Sequence, residues 1–292
     1  MNRMAKVLNR AACLINAIPD TLQLNLQVSV FALLLSTSCV GDPMSPARKQ
    51  IDNFKKNHSN QMGVHQGLHR KISYAFAGSP ANRPVIFVHG SPGSREGWYS
   101  FLQDEKLISR FHMIVPDRPG YGDSGGGISE PSLARQADDL WSLLSLNTSG
   151  LSPILIGHSY GAPLVAKMAM EHPEIHALIL VSGSIDPDLE DDQFIQKLGR
   201  LWGIRSLIPD FLRVCNEEIT ALKEELLRKD FDWNKIKTKV YAIHGSEDDL
   251  VPKENVDYLK KNIPGSEVIM IKENHFIPWN NPDSITGLLL SL

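Results

Sequence analysis

"ILIGHSYGAP", residues Ile154 to Pro163, sets a serine between two glycines at the end of an apolar run. An apolar run enters two glycines, Gly157 and Gly161, that flank Ser159 with one residue on either side, and "APLVAKMAM" continues with helix-forming residues. This reads as a strand, a sharp turn and a helix, with glycine where strand and helix approach too closely for a side chain. The turn projects the Ser159 hydroxyl from a sheet edge, and the helix N-terminus behind it favours negative charge nearby. Serine is a weak nucleophile at its own pKa, so a working role requires a base and an acid elsewhere in the chain.

On either side of this turn, strands alternate with helices. Short apolar runs at Val85 to Gly90, Phe111 to Asp117, Ile175 to Gly183, Lys239 to Gly245 and Glu267 to His275, with an earlier strand in "RKISYAFAG", suit strands of a buried sheet. Helical segments are expected over Glu96 to Ile108, Ser132 to Leu146, Ala162 to Glu171, Lys253 to Lys261 and Asp283 to Leu292. Each is long enough to cross the sheet and deliver the next strand in parallel. The fold class is therefore α/β, with a mainly parallel central sheet flanked by helices. No strand is evident between Ser184 and Ile236, so residues 184–236 read as a helical cap over the carboxyl edge of the sheet, inserted before the penultimate strand.

Composition narrows the partners. The 30 basic and 33 acidic residues give a formal net charge of −3, with no basic stripe to neutralise phosphates, which argues against nucleic acid. Three cysteines, Cys13, Cys39 and Cys215, are too few and scattered for a disulfide framework or a metal cluster, so no metal is expected. The amino terminus differs from the rest: Arg3, Lys6 and Arg10 precede the apolar "LQVSVFALLLSTSC" of Leu26 to Cys39. That order suits a signal or anchor over residues 1–39, and Cys39 after small residues resembles a bacterial lipoprotein signal. The expectation is an exported or membrane-anchored protein, with or without a lipid at Cys39; an N-terminal amphipathic helix, an uncleaved anchor and a cytoplasmic location are the alternatives. Residues 40–66 read as a polar linker, and residues 67–183 and 237–292 as the α/β core.

In an open α/β sheet, ligands bind beyond the carboxyl ends of the strands, which selects four groups here. They are His89 to Gly93, Ser159, Asp248 and His275. His275, in the turn-rich "KENHFIPWNNP", is the candidate base, because an imidazole titrates near neutrality. Asp248 can accept its other ring N–H, with Glu247 and Asp249 as neighbouring candidates. His89, His158, His172, His176 and His244 read as structural or surface histidines.

The order serine, acid, histidine, each after a strand, resembles the α/β-hydrolase superfamily over residues 70–292. The family spacing of glycine, aspartate and proline matches Gly245, Asp248 and Pro252, so the resemblance favours Asp248 over Asp249. "HGSPGS", His89 to Ser94, looks like the family's oxyanion loop, which implies the backbone N–H groups of Ser91 and Tyr160 as oxyanion donors. "PDRPGYGDS", Pro116 to Ser124, is similar to a supporting loop of the family. The resemblance implies a serine hydrolase cleaving a carboxylic ester or similar small-molecule acyl bond through Ser159, Asp248 and His275, without a cofactor. Serine at this turn argues against relatives that use aspartate there, such as epoxide hydrolases. Acyl transfer, carbon–carbon bond hydrolysis and a non-catalytic binding protein stay open as alternatives. In the cap, Trp202, Leu207 and Phe211 are the candidate substrate-binding residues.

Overall fold

A computed structural model describes Phe54, Lys56 and residues 61–190 and 210–292. The chain divides into two compact units, Met1–Asn57 and His58–Leu292, and the sheet lies wholly within the second. The signal and lipidation expectations at residues 1–39, including Cys39, lie outside the described residues, as do Trp202 and Leu207.

Eight strands form one sheet: β1 (Met62–Gln66), β2 (Lys71–Ala77), β3 (Arg83–Val88), β4 (Phe111–Pro116), β5 (Ile154–His158), β6 (Ala177–Val181), β7 (Lys239–Gly245) and β8 (Glu267–Ile271). Their spatial order is β1-β2-β4-β3-β5-β6-β7-β8. From β4 to β8 every pairing is parallel, while β1–β2 and β2–β4 are antiparallel. The two central strands β3 and β5 pair directly, Phe87 opposite Ile156 and Val88 opposite Gly157. This brings the "HGSPGS" loop and the Ser159 turn side by side at the carboxyl edge.

Helices α1 (Glu105–Arg110), α2 (Leu133–Trp141), α3 (Gly161–Glu171), α4 (Asp210–Leu226), α5 (Glu254–Asn262), α6 (Ile277–Asn280) and α7 (Pro282–Ser291) complete the described structure, with single 3-10 turns between them. The apolar runs of β3 to β6 are buried on both faces, as expected for crossover connections. One face packs Ile86, Val88, Leu155, Leu178 and Leu180 with residues of α2, α3 and α5. On the other, the Phe87 ring meets Trp98 at 5.1 Å and Phe101 at 5.5 Å.

Two expectations need correction. Residues 62–66, read as linker, form strand β1, antiparallel to β2. The helix expected over Glu96 to Ile108 is two 3-10 turns, Arg95–Trp98 and Phe101–Gln103, and the short α1. Asp104 causes the restart: it is extended, and its carboxylate accepts from Lys106 N at 2.9 Å and Leu107 N at 3.4 Å, capping a new helix. The segment read as the cap also contributes to the main core. Helix α4 reaches the loops after β3 and β4, but Leu222, Leu226, Phe231, Trp233 and Ile236 join the main core.

Candidate active site

Ser159 has a left-handed backbone, φ 54°, between β5 and α3. A non-glycine residue is held there only when its surroundings over-determine it, and such strain clusters at functional sites. The surroundings are clear: Ser159 N donates to Val181 O at 2.9 Å, and Ala162 N to Ser159 O at 3.0 Å. Glycine is required on both sides of the turn. A Cβ on Gly161 would stand 2.5 Å from the Val88 carbonyl oxygen, and one on Gly157 would collide with Gly161 O.

The structure brings Asp248 and His275 together at the same edge. His275 Nδ1 lies 2.9 Å from Asp248 Oδ2, and the Asp248 side chain is fully shielded from solvent. Asp248 Oδ1 accepts from the amides of Leu250 at 3.0 Å and Val251 at 2.9 Å. Burial works against the charged carboxylate, but the bonds and charge of His275 and the Val251 amide outweigh it and hold its pKa below the ordinary value. Asp249 and Glu247 are exposed, so the geometry selects Asp248 among the three neighbouring acids.

His158 fastens His275 to the Ser159 turn. Its Nε2–H donates to the His275 carbonyl at 2.9 Å, and the two rings lie 4.7 Å apart. Burial, followed by the charge of His275, lowers the His158 pKa to about 3, so this imidazole is neutral. His89 and His244 are likewise buried, each with a lowered pKa caused first by burial. His172 and His176 are only partly buried, away from this edge.

The third component is the loop after β3. Gly90 packs against the turn so tightly that a Cβ there would stand 2.9 Å from Ser159 Cβ. Among the described residues, neither the Ser91 nor the Tyr160 amide donates a hydrogen bond. Below them, Arg118 is completely buried and salt-bridged to Glu218 of α4, Nη1 to Oε1 at 2.7 Å. Sequence reading singled out the Pro116 to Ser124 loop that carries Arg118 but missed Glu218. Phe211 stands half-buried in the first turn of α4. No helix of the described residues is long and apolar enough to cross a membrane, and no group of metal-ligating side chains occurs among them.

Residues 83–213 match the family model described as the alpha/beta hydrolase fold. Lipase 1 of Psychrobacter immobilis is 23% identical to this chain, over 85% of the chain and 90% of its own length. A monoacylglycerol lipase of Bos taurus is 22% identical over 75% of this chain and 78% of its own. The crystal structure of a membrane phospholipase A, a bacterial virulence factor, superposes with a TM-score of 0.62, at 18% identity over 93% of this chain and 96% of that one. Strand order and family model agree: the chain has the α/β-hydrolase fold, residues 83–213 match that family's model, and the proteins it is similar to include lipases.

Proposed function

We propose that this protein is a serine hydrolase that cleaves carboxylic esters. The observation that carries the reading is the 2.9 Å hydrogen bond between His275 Nδ1 and Asp248 Oδ2, at the sheet edge where Ser159 turns. A histidine donating through Nδ1 keeps Nε2 as an acceptor. Nε2 takes the Ser159 proton as Oγ attacks the carbonyl carbon, then returns it to the leaving alcohol. Asp248, held ionised, fixes that tautomer and stabilises the imidazolium. Negative charge on the former carbonyl oxygen is met by the Ser91 and Tyr160 amides. Water, deprotonated by the same imidazole, then hydrolyses the acyl-enzyme.

The reading needs no cofactor. Kinship with Lipase 1 and the monoacylglycerol lipase supports an ester with an apolar acyl chain, for which Phe211, Trp202 and Leu207 of the cap are the proposed contacts. Residues 1–39 are proposed as an export or anchoring segment, lipid-bearing at Cys39. The test is labelling of the full chain with a fluorophosphonate probe, wild type beside Ser159→Ala, followed by a p-nitrophenyl ester series of increasing acyl length. Labelling and turnover confined to the wild type support the reading; equal turnover by Ser159→Ala overturns it.

A further inference from the structure

We infer that Glu218, on the cap helix α4, is the positioning residue that aims the Ser91 amide at the reacting carbonyl oxygen. The inference rests on the proposed ester hydrolysis, and its observation is a buried network. Glu218 is completely buried, and its Oε1 accepts from Arg118 Nη1 at 2.7 Å and Gln136 Nε2 at 3.1 Å. Its Oε2 accepts from Arg118 Nη2 at 3.0 Å. The hydroxyls of Ser91 and Tyr121 lie 2.9 and 2.7 Å from the same oxygen, and 2.6 Å from each other.

Arg118 passes this anchorage to the loop. Its Nε donates to the His89 carbonyl at 2.9 Å and its Nη2 to the Gly90 carbonyl at 3.0 Å. The Gly90 carbonyl and the Ser91 N–H belong to one planar peptide unit, so holding the oxygen fixes where the N–H points. His89 Nδ1 holds the same oxygen at 2.8 Å, while its Nε2 accepts from Arg118 N at 3.0 Å. A cationic donor on a carbonyl also polarises the peptide and strengthens its N–H as a donor. The Arg118 guanidinium further lies over the rings of Tyr121 at 4.7 Å and Tyr160 at 4.6 Å. Arg118 therefore touches the peptide that carries the Ser91 N–H and the side chain of Tyr160. That cation is stable in the interior only because Glu218 balances its charge. The cap helix thus supplies the counter-ion on which the oxyanion geometry depends, although it touches no reacting atom.

The experiment compares full-length wild type, Glu218→Gln and Ser91→Ala. The first substitution turns one acceptor edge into N–H donors facing Arg118, whereas Ser91→Ala removes only the loop's own bond and leaves the ion pair whole. The readouts are kcat and KM for p-nitrophenyl acetate, and the affinity of a trifluoromethyl ketone whose adduct with Ser159 carries an oxyanion. Losing one oxyanion donor costs about 10²–10³ in rate, so misaiming one is expected to lower kcat about 10–100-fold. KM should stay within about twofold, and the ketone should weaken in step with kcat. Because both side chains act through the same peptide, the double variant is expected to be no worse than the poorer single one. A folded Glu218→Gln with unchanged kcat and ketone affinity overturns the inference and leaves the hydrolase reading standing. If Glu218→Gln does not fold, Glu218→Asp decides: it keeps the counter-charge but draws the carboxylate back by one methylene from Arg118 and Ser91, and unchanged kcat and ketone affinity there overturn the inference equally. A wild type that neither labels nor turns over ester removes both.

Discussion

Acid should destabilise this protein through His158, and by a calculable amount. The ring is 4% exposed, its Nε2–H is committed to the His275 carbonyl, and burial first, then the His275 charge, lowers its pKa to about 3. In the unfolded chain the same side chain titrates at about 6.5. Between those values the unfolded chain binds a proton that the folded protein does not. Stability is therefore complete at higher pH and is lost as the pH falls below about 6.5 toward 3. At about pH 5 the unfolded group lies some 1.5 units below its pKa, which at ~1.4 kcal/mol per unit makes a loss of about 2 kcal/mol. His89, lowered well below its ordinary value by burial and then Arg118, acts in the same direction. Asp117, raised by burial against the opposing charge of Arg95, acts in the opposite one. The difference between wild type and His158→Gln isolates the single group, because glutamine keeps an N–H donor and cannot titrate. The assay is urea unfolding at about pH 7.5 and about pH 5, followed by the fluorescence of buried tryptophans such as Trp98. His158→Gln should lose about 2 kcal/mol less than wild type between the two conditions. Equal losses in the two proteins would refute the claim that a neutral His158 is built into the fold.

Other outcomes follow from the same contacts. Asp248→Asn should fold and lose about 10³–10⁴-fold in kcat, as expected when the histidine's orienting acid is neutralised, whereas Asp249→Asn should stay within about twofold; ester kinetics on the two variants decide it. Gly161→Ala puts a Cβ 2.5 Å from the Val88 carbonyl oxygen, so it should cost at least about 2 kcal/mol in urea unfolding and reduce fluorophosphonate labelling. The proposed anchor predicts that the full chain fractionates with membranes and that Cys39→Ser releases it; a wild type recovered wholly in the soluble fraction speaks against the anchor.

Much of the architecture was legible because burial on both faces leaves a plain mark. The runs in β3 to β6 are continuous and apolar, and their ends fell within two residues of those expected. Strand β1 left no such mark: it lies at the sheet edge, its five residues are partly or fully exposed, and Val64 is 65% exposed. The break at Asp104 was equally hidden, since an acid that caps a restarted helix looks in sequence like an acid on a helix face. Ser159, Asp248 and His275 were legible for a different reason. Parallel strands deliver their loops to one edge, so position after a strand substitutes for three-dimensional knowledge.

Glu218 shows where that substitution stops. It lies in "CNEEITALKEEL", a helix with acids at Glu217, Glu218, Glu224 and Glu225, and local spacing offers no reason to separate one from its neighbours. Only Arg118, a hundred positions earlier, gives Glu218 its meaning, and that partner is chosen by how α4 crosses the loops after β3 and β4. A buried ion pair adds little net stability compared with well-packed apolar residues of the same volume. Stability alone therefore gives weak reason to bury Arg118 and Glu218, whereas Arg118 adds a charged donor to the neutral His89 at the Gly90 carbonyl of the Gly90–Ser91 peptide, and Glu218 places the counter-charge beside it.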